Sequence, residues 1–161
     1  MKKLFLSVLL TFALATSAFA AAGSCEFSSS GDFKGFYQLT WVCTSASDGT
    51  VIAPTLTGAN AGSQYSGRID RVIFTPSSGT TQPSDSYDVK LHRVVGGAAD
   101  TTDDLLSTLG IDLSQTNTKR DAPLTTTNGF VVRVFRDVLV PAAANVGDKK
   151  KFTLSILVDN R

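Results

Sequence analysis

His92 is the single histidine of the 161-residue chain, and this narrows acid–base and metal schemes, because imidazole is the side chain whose charge changes near neutral pH. It falls on the outward parity of the alternating run Tyr87-Asp88-Val89-Lys90-Leu91-His92, so a solvated surface histidine is expected. Serines are plentiful, but none sits in an elbow motif, and no Ser-His-Asp arrangement is expected. The densest acidic group is Asp100, Asp103 and Asp104, with Asp112 further on. Calcium accepts such oxygen ligands, yet the spacing departs from the regular ligand loop, and aspartates at the start of a helix already have a capping role. Capping is the stronger reading. The run Lys149-Lys150-Lys151 could attract phosphate or anionic lipid; beside a terminal strand, protection of a sheet edge is the better reading. Trp41, Tyr65 and Tyr87 could stack on sugars, but Trp41 and Tyr87 lie on inward parities and are assigned to the core. No catalytic, cofactor-binding or metal-ligating residue is expected.

The ends and the cysteines set the compartment. Lys2 and Lys3, the apolar run 4–14 and the small-x-small site Ala18-Phe19-Ala20 form the three parts of a secretion signal, too short to span a membrane. Residues 1–20 are therefore read as a signal peptide, with cleavage after Ala20 preferred and after Ala22 as the alternative, and residues 21–161 as a single domain. Losing Lys2 and Lys3 takes the formal charge from +1 to −1. A nearly neutral chain without a basic stripe does not suit nucleic acid, and no membrane attachment is expected after cleavage. Cys25 and Cys43, the two cysteines, favour a disulfide in an oxidising compartment. The alternative is two independent buried thiols. A hairpin turning near Lys34 would set Cys25 opposite Cys43 and Phe27 opposite Trp41, burying two aromatics and joining the sulfurs in one register.

Thr, Ser, Gly and Val richness points to an all-β class. Strands are expected over residues 24–29, 36–44, 50–57, 68–75, 86–94, weakly 122–127, 130–140 and 152–158. This is about eight, the count of a jelly-roll or related Greek-key antiparallel sandwich. Pro54 argues that its strand lies at an edge, and Asp48-Gly49 is a hairpin turn signal. The runs 68–75 and 86–94 read as a hairpin-like pair with a long tip, Pro76 ending the first. Residues 100–109 offer one short helix with Gly110 as its stop; residues 114–121 read as a surface loop. A parity break at Phe135 suggests a bulge or burial on both sides, and Pro141 should end that strand.

The block 66–91 also carries a resemblance. Gly67, Ile69, Arg71, Val72, Phe74 and Pro76, then Gly79 and Pro83, then Tyr87, Asp88, Val89 and Leu91 match a pattern G-x-I-x-R-V-x-F-x-P, a G-x-x-x-P turn and Y-D-V-x-L. The pattern resembles that of small tailed-bacteriophage virion structural proteins, capsid- or neck-associated. The resemblance implies protein partners within a virion, or self-association, and no enzymatic activity. The function expected is a non-enzymatic structural or assembly role, exported to the periplasm or beyond, or in the virion if the family likeness carries function. The alternative is an exported binding module, an adhesin or glycan-binding sandwich.

Overall fold

The structure, a computed structural model, describes residues 23–31, 35–52, 54–58, 61–121 and 133–161. It is all-β and two-layered. β1 (Ser24–Gly31), β2 (Phe36–Thr44), β3 (Thr55–Thr57), β4 (Tyr65–Pro76), β7 (Lys119–Asp121), β8 (Arg133–Asp137) and β10 (Lys151–Asp159) build the larger sheet. Its order is β3-β1-β2-β10-β4, with β7 and β8 both on the far edge of β4. β5 (Asp88–Val95), β6 (Ala98–Ala99) and β9 (Leu139–Ala144) form the smaller sheet, order β6-β5-β9. Pairing is antiparallel except for β3, which runs parallel to β1 at the sheet edge. That edge position suits the adjacent Pro54, which lacks a ladder donor.

Alternation, with one register shift of β4 against β10 between Ile69 and Arg71, explains which side chains meet. Trp41 from β2, Ile69, Val72 and Phe74 from β4, and Phe152, Leu154 and Ile156 from β10 face Tyr87, Val89 and Leu91 from the opposite layer. All are buried in one core. Tyr87 and Phe152 meet across it with ring centroids 5.8 Å apart. β1 and β2 pair in the expected register, Cys25 opposite Cys43 and Phe27 opposite Trp41, and the two cysteines are joined. Closing a loop of this size removes about 3 kcal/mol of freedom from the unfolded chain in the entropic account. The turn expected near Lys34 lies outside the described residues, as do the signal segment and the weak strand at 122–127.

Several expectations are corrected. The runs of the central block do not pair as a hairpin: β4 lies in the larger sheet and β5 in the smaller. Both strands bury one apolar face, and those faces oppose each other across the core, which residues 77–87 make possible by arching between layers. Pro76 does end β4. Lys149-Lys150-Lys151 guards no edge, because β10 is central, between β2 and β4; the Lys150 ammonium instead caps the Thr80 carbonyl at 2.8 Å. Part of the loop at 114–121 is strand, with β7 pairing β4.

The run 130–140 is divided. Within its described part, β8 pairs β4 and β9 pairs β5, so the chain changes sheets at Val138. Between Tyr65↔Asp137 and Gly67↔Val134, β8 holds one residue more than β4, a bulge at the expected place, with Arg136 at φ 51°. Pro141 does not end the strand but sits within β9 opposite Leu91. Ala143, two residues on, exchanges both backbone bonds with Val51. Pro141 therefore turns its nitrogen the same way, away from β5, where no ladder donor is missed.

No α-helix forms at 100–109; a chain of turns ends in the 3-10 turn Ser107–Gly110. The reason is the free edge of β5. The amides of Asp100, Leu105 and Leu113 donate to the carbonyls of Arg93, Leu91 and Tyr87 at 2.8, 2.9 and 2.9 Å, so these donors serve the sheet rather than a helical ladder. Residues 100–113 form a strap along β5. Gly110 lies so close that a Cβ there would fall 1.8 Å from the Val89 carbonyl oxygen.

Candidate binding surface

The strap decides where the sequence-predicted chemistry goes. His92 was expected in water and is buried, 3 % exposed, because the strap covers the outward side of β5 at that point. Its Nδ1 lies 2.9 Å from the Asp103 carbonyl; a carbonyl only accepts, so this nitrogen carries the proton. Asp103 ion-pairs Arg93, and the Arg93 Nε donates to Asp137 at 3.1 Å. Asp104 does not cap a helix: one carboxylate oxygen accepts from the amides of Leu91 at 3.2 Å and Leu106 at 3.0 Å. Asp100 accepts from the Thr102 hydroxyl and amide at 2.6 and 3.0 Å, which hold its carboxyl below the usual carboxylate range. Among the described residues no three His, Cys, Asp or Glu side chains gather as a metal site requires.

The residues carrying the virion-like pattern come together as two walls of the core. Ile69, Val72 and Phe74 face Tyr87, Val89 and Leu91. Gly67 has φ 145°, and a Cβ there would fall against the Asp159 carbonyl of β10, so this position needs glycine, at the register shift between β4 and β8. Asp88 accepts from the Asp112 amide at 3.0 Å and from the Asn145 side-chain amide at 3.4 Å, tying the segment between β9 and β10 to β5. Pro83 is buried and Arg71 is exposed on β4. Burial pushes the Tyr87 hydroxyl up to about 12, so it stays protonated at neutral pH.

Two surface concavities remain as candidates. One is apolar, about 330 Å³, walled by Pro54 and Leu56 from the β3 side and by Val94, Ala98, Ala99 and Val140 from the smaller sheet. Its chain neighbours Ile52 and Val95 are 64 % and 63 % exposed. The other is polar, about 260 Å³, lined by Tyr37, Gln64, Tyr65, Ser66 and Asn160. A chain of rings leads out to it from the core: Trp41 to Phe27 at 5.2 Å, Phe27 to Tyr65 at 6.0 Å and Tyr65 to Tyr37 at 6.2 Å. Trp41 is buried as expected, and Tyr65 is only partly so.

The polar groove is held rigidly from below. Asp159, 9 % exposed, accepts from Arg161 at 3.0 Å and from Arg68 at 3.3 Å. The Arg161 guanidinium and amide keep its carboxyl below the usual range, with Arg68 adding attraction. Arg161 stacks over Phe36 at 4.4 Å, and the Asn160 amide donates to Gly35 at 2.8 Å. Sequence reasoning singled out Tyr65 but not Tyr37, nor Gln64 and Asn160, which converge from segments nearly a hundred residues apart and carry no local pattern. Compared with family models, curated proteins and solved structures, the chain matches none.

Proposed function

We propose that this protein is a non-enzymatic structural module, resembling a tailed-phage virion component, that makes protein–protein contacts in an assembly. The supporting observation is the apolar concavity between β3 and the smaller sheet, flanked by exposed Ile52 and Val95. Contiguous apolar surface on a folded protein is characteristic of contact with another protein. The burial of His92 and the structural engagement of Asp100, Asp103 and Asp104 are consistent with a scaffold role. The signal-like N-terminus and the Cys25–Cys43 bond suit an exported, oxidising setting, which supports an assembly outside the cytoplasm, at a lysis stage or on a surface.

The test is mass spectrometry of purified particles against the periplasmic fraction. The chain is expected in the particles, and Val95→Asp, an exposed change that leaves the core intact, is expected to reduce its incorporation. Recovery of the chain solely as free periplasmic monomers would overturn the reading.

A further inference from the structure

We propose that the groove lined by Tyr37, Gln64, Tyr65, Ser66 and Asn160 is a binding site for a neutral saccharide, one pyranose ring at a time. This goes beyond the assembly role and rests on a different face of the molecule.

The groove joins the two chemistries that a sugar presents. A pyranose has apolar C–H faces and a rim of hydroxyls that both donate and accept. Tyr37 and Tyr65 supply partly exposed ring surface in an edge-to-face pair, with centroids 6.2 Å apart, and such rings offer an apolar body with a polar tip. Gln64 and Asn160 supply amides, each with two donors and an acceptor. Among the described residues, neither amide side chain and neither tyrosine hydroxyl has a hydrogen-bond partner, and all four belong to the groove. Ser66 accepts from the Arg136 amide at 2.8 Å, which fixes its oxygen and leaves its O–H to donate.

Charge and size choose the ligand. Arg68, Asp70, Asp159 and Arg161 pair among themselves at 3.0 to 3.3 Å, and Arg136, whose amide donates to Ser66, is followed in the chain by Asp137 in register with Tyr65. Cations and carboxylates therefore both border the groove, which favours a neutral ligand over phosphate, sulfate or an acidic sugar. Its volume of about 260 Å³ lies just under the roughly 300–1,000 Å³ of drug-sized ligand sites, which suits one ring.

The site is also preorganised. Asn160 sits between Asp159, clamped by two arginines, and Arg161, stacked on Phe36. Tyr65 is packed against Phe27 at 6.0 Å. The aromatic wall and the Asn160 backbone are thus held before binding, and the ordering left to do is that of the exposed Gln64 and Asn160 side chains, which keeps the expected affinity weak.

The experiment is an amide NMR titration of the purified protein with the methyl glycosides of glucose, galactose, mannose and N-acetylglucosamine, alongside N-acetylneuraminic acid and inorganic phosphate as anionic probes. At least one neutral glycoside is expected to give saturable shifts at Gln64, Tyr65, Ser66 and Asn160, with Kd of about 1 mM. Gln64→Ala and Asn160→Ala, both at exposed positions that leave the core unchanged, are each expected to weaken it tenfold or more. Three outcomes would overturn the proposal: no saturable shift with any neutral glycoside up to about 10 mM, saturation with the anions only, or affinity unchanged in both variants. Tyr65→Ala is avoided as the decisive variant because Tyr65 also packs on the core.

Discussion

β4 and β5 each bury one apolar face and oppose each other across one core, yet their edges are closed by different means. β4 has backbone ladders on both sides, β10 on one and β7 and β8 on the other. β5 has β9 on one side; on the other, beyond the short β6, it has the strap. There the Leu105 and Leu113 amides and one carboxylate oxygen of Asp104 do what a neighbouring strand would do. A buried backbone group has to be paired by something, and the comparison shows that turns and a side chain suffice. It also shows the consequence for chemistry: the strap, not the strand, removes His92 from solvent.

The largest effect should come from the shared core. Phe74→Ala on β4 removes a ring that is 1 % exposed and is expected to cost about 3–5 kcal/mol, read as a lower denaturant midpoint with every region of the protein unfolding together. Separate transitions for the two sheets would break the comparison at its root, since the faces of β4 and β5 would then not share one core.

Gly110→Ala should come next and should be local. The new methyl would be forced against the Val89 carbonyl, at an expected cost of about 2–3 kcal/mol. Amide exchange should then lose protection at Leu105 and Leu113 while the β10 amides keep theirs, because regions closed by few bonds open as separate units. Uniform loss across both sheets would mean that the strap is as much part of the ladder as β10 is.

How far the sequence reveals this difference can be argued from these residues. Period-two alternation identifies Tyr87, Val89 and Leu91 as one buried face and sets the Cys25–Cys43 register; on β4 it joins Val72 to Phe74 but not to Ile69, which shares their face only through the extra residue between Ile69 and Arg71. It does not say which strand lies beside which, because an inward face is satisfied equally by a hairpin partner or by the opposite layer. That is why β4 and β5 read as a pair and why β10, whose inner face looks like that of any terminal strand, reads as an edge. His92 misleads for a related reason. Parity reports the side of a strand, whereas its burial comes from residues 100–113, whose Asp-rich start carries the signals of a helix cap. The polar groove was least legible, since Gln64 and Asn160 meet only through the placement of β4 beside β10.

Tyr87→Phe probes the β5 side of the core with a smaller effect of opposite sign. The Tyr87 hydroxyl is buried and has no hydrogen-bond partner among the described residues, and an unpaired buried hydroxyl costs about 1–3 kcal/mol. Removing it, after allowance for the small void left, is expected to stabilise the fold by about 1 kcal/mol, measured as a raised urea midpoint with unchanged slope. A lower midpoint would show that the hydroxyl serves the smaller sheet in a way that Phe74 does not serve the larger.

The smallest effect concerns acid, and it separates the strap from the ladders. Asp100 sits where the strap leaves β6, and the Thr102 hydroxyl and amide favour its ionised form, with weaker attraction from His92 and Arg93. Its folded value lies below the ordinary 3.8, so the folded state binds its proton less readily than the unfolded state does. That contribution to stability is present above 3.8 and is lost as pH falls through the folded value. Asp48 and Asp159 are lowered as well, so the wild-type acid response is a composite; the informative quantity is the difference from Asp100→Asn, which cannot titrate. The wild type should lose its margin over the variant as the urea midpoint is followed from about pH 5 to about pH 3, with strap amides opening before those of β10. A margin that stays constant over that range would mean that the Asp100–Thr102 turn does not hold the strap, and that the backbone bonds of Leu105 and Leu113 close the β5 edge without help from its charge.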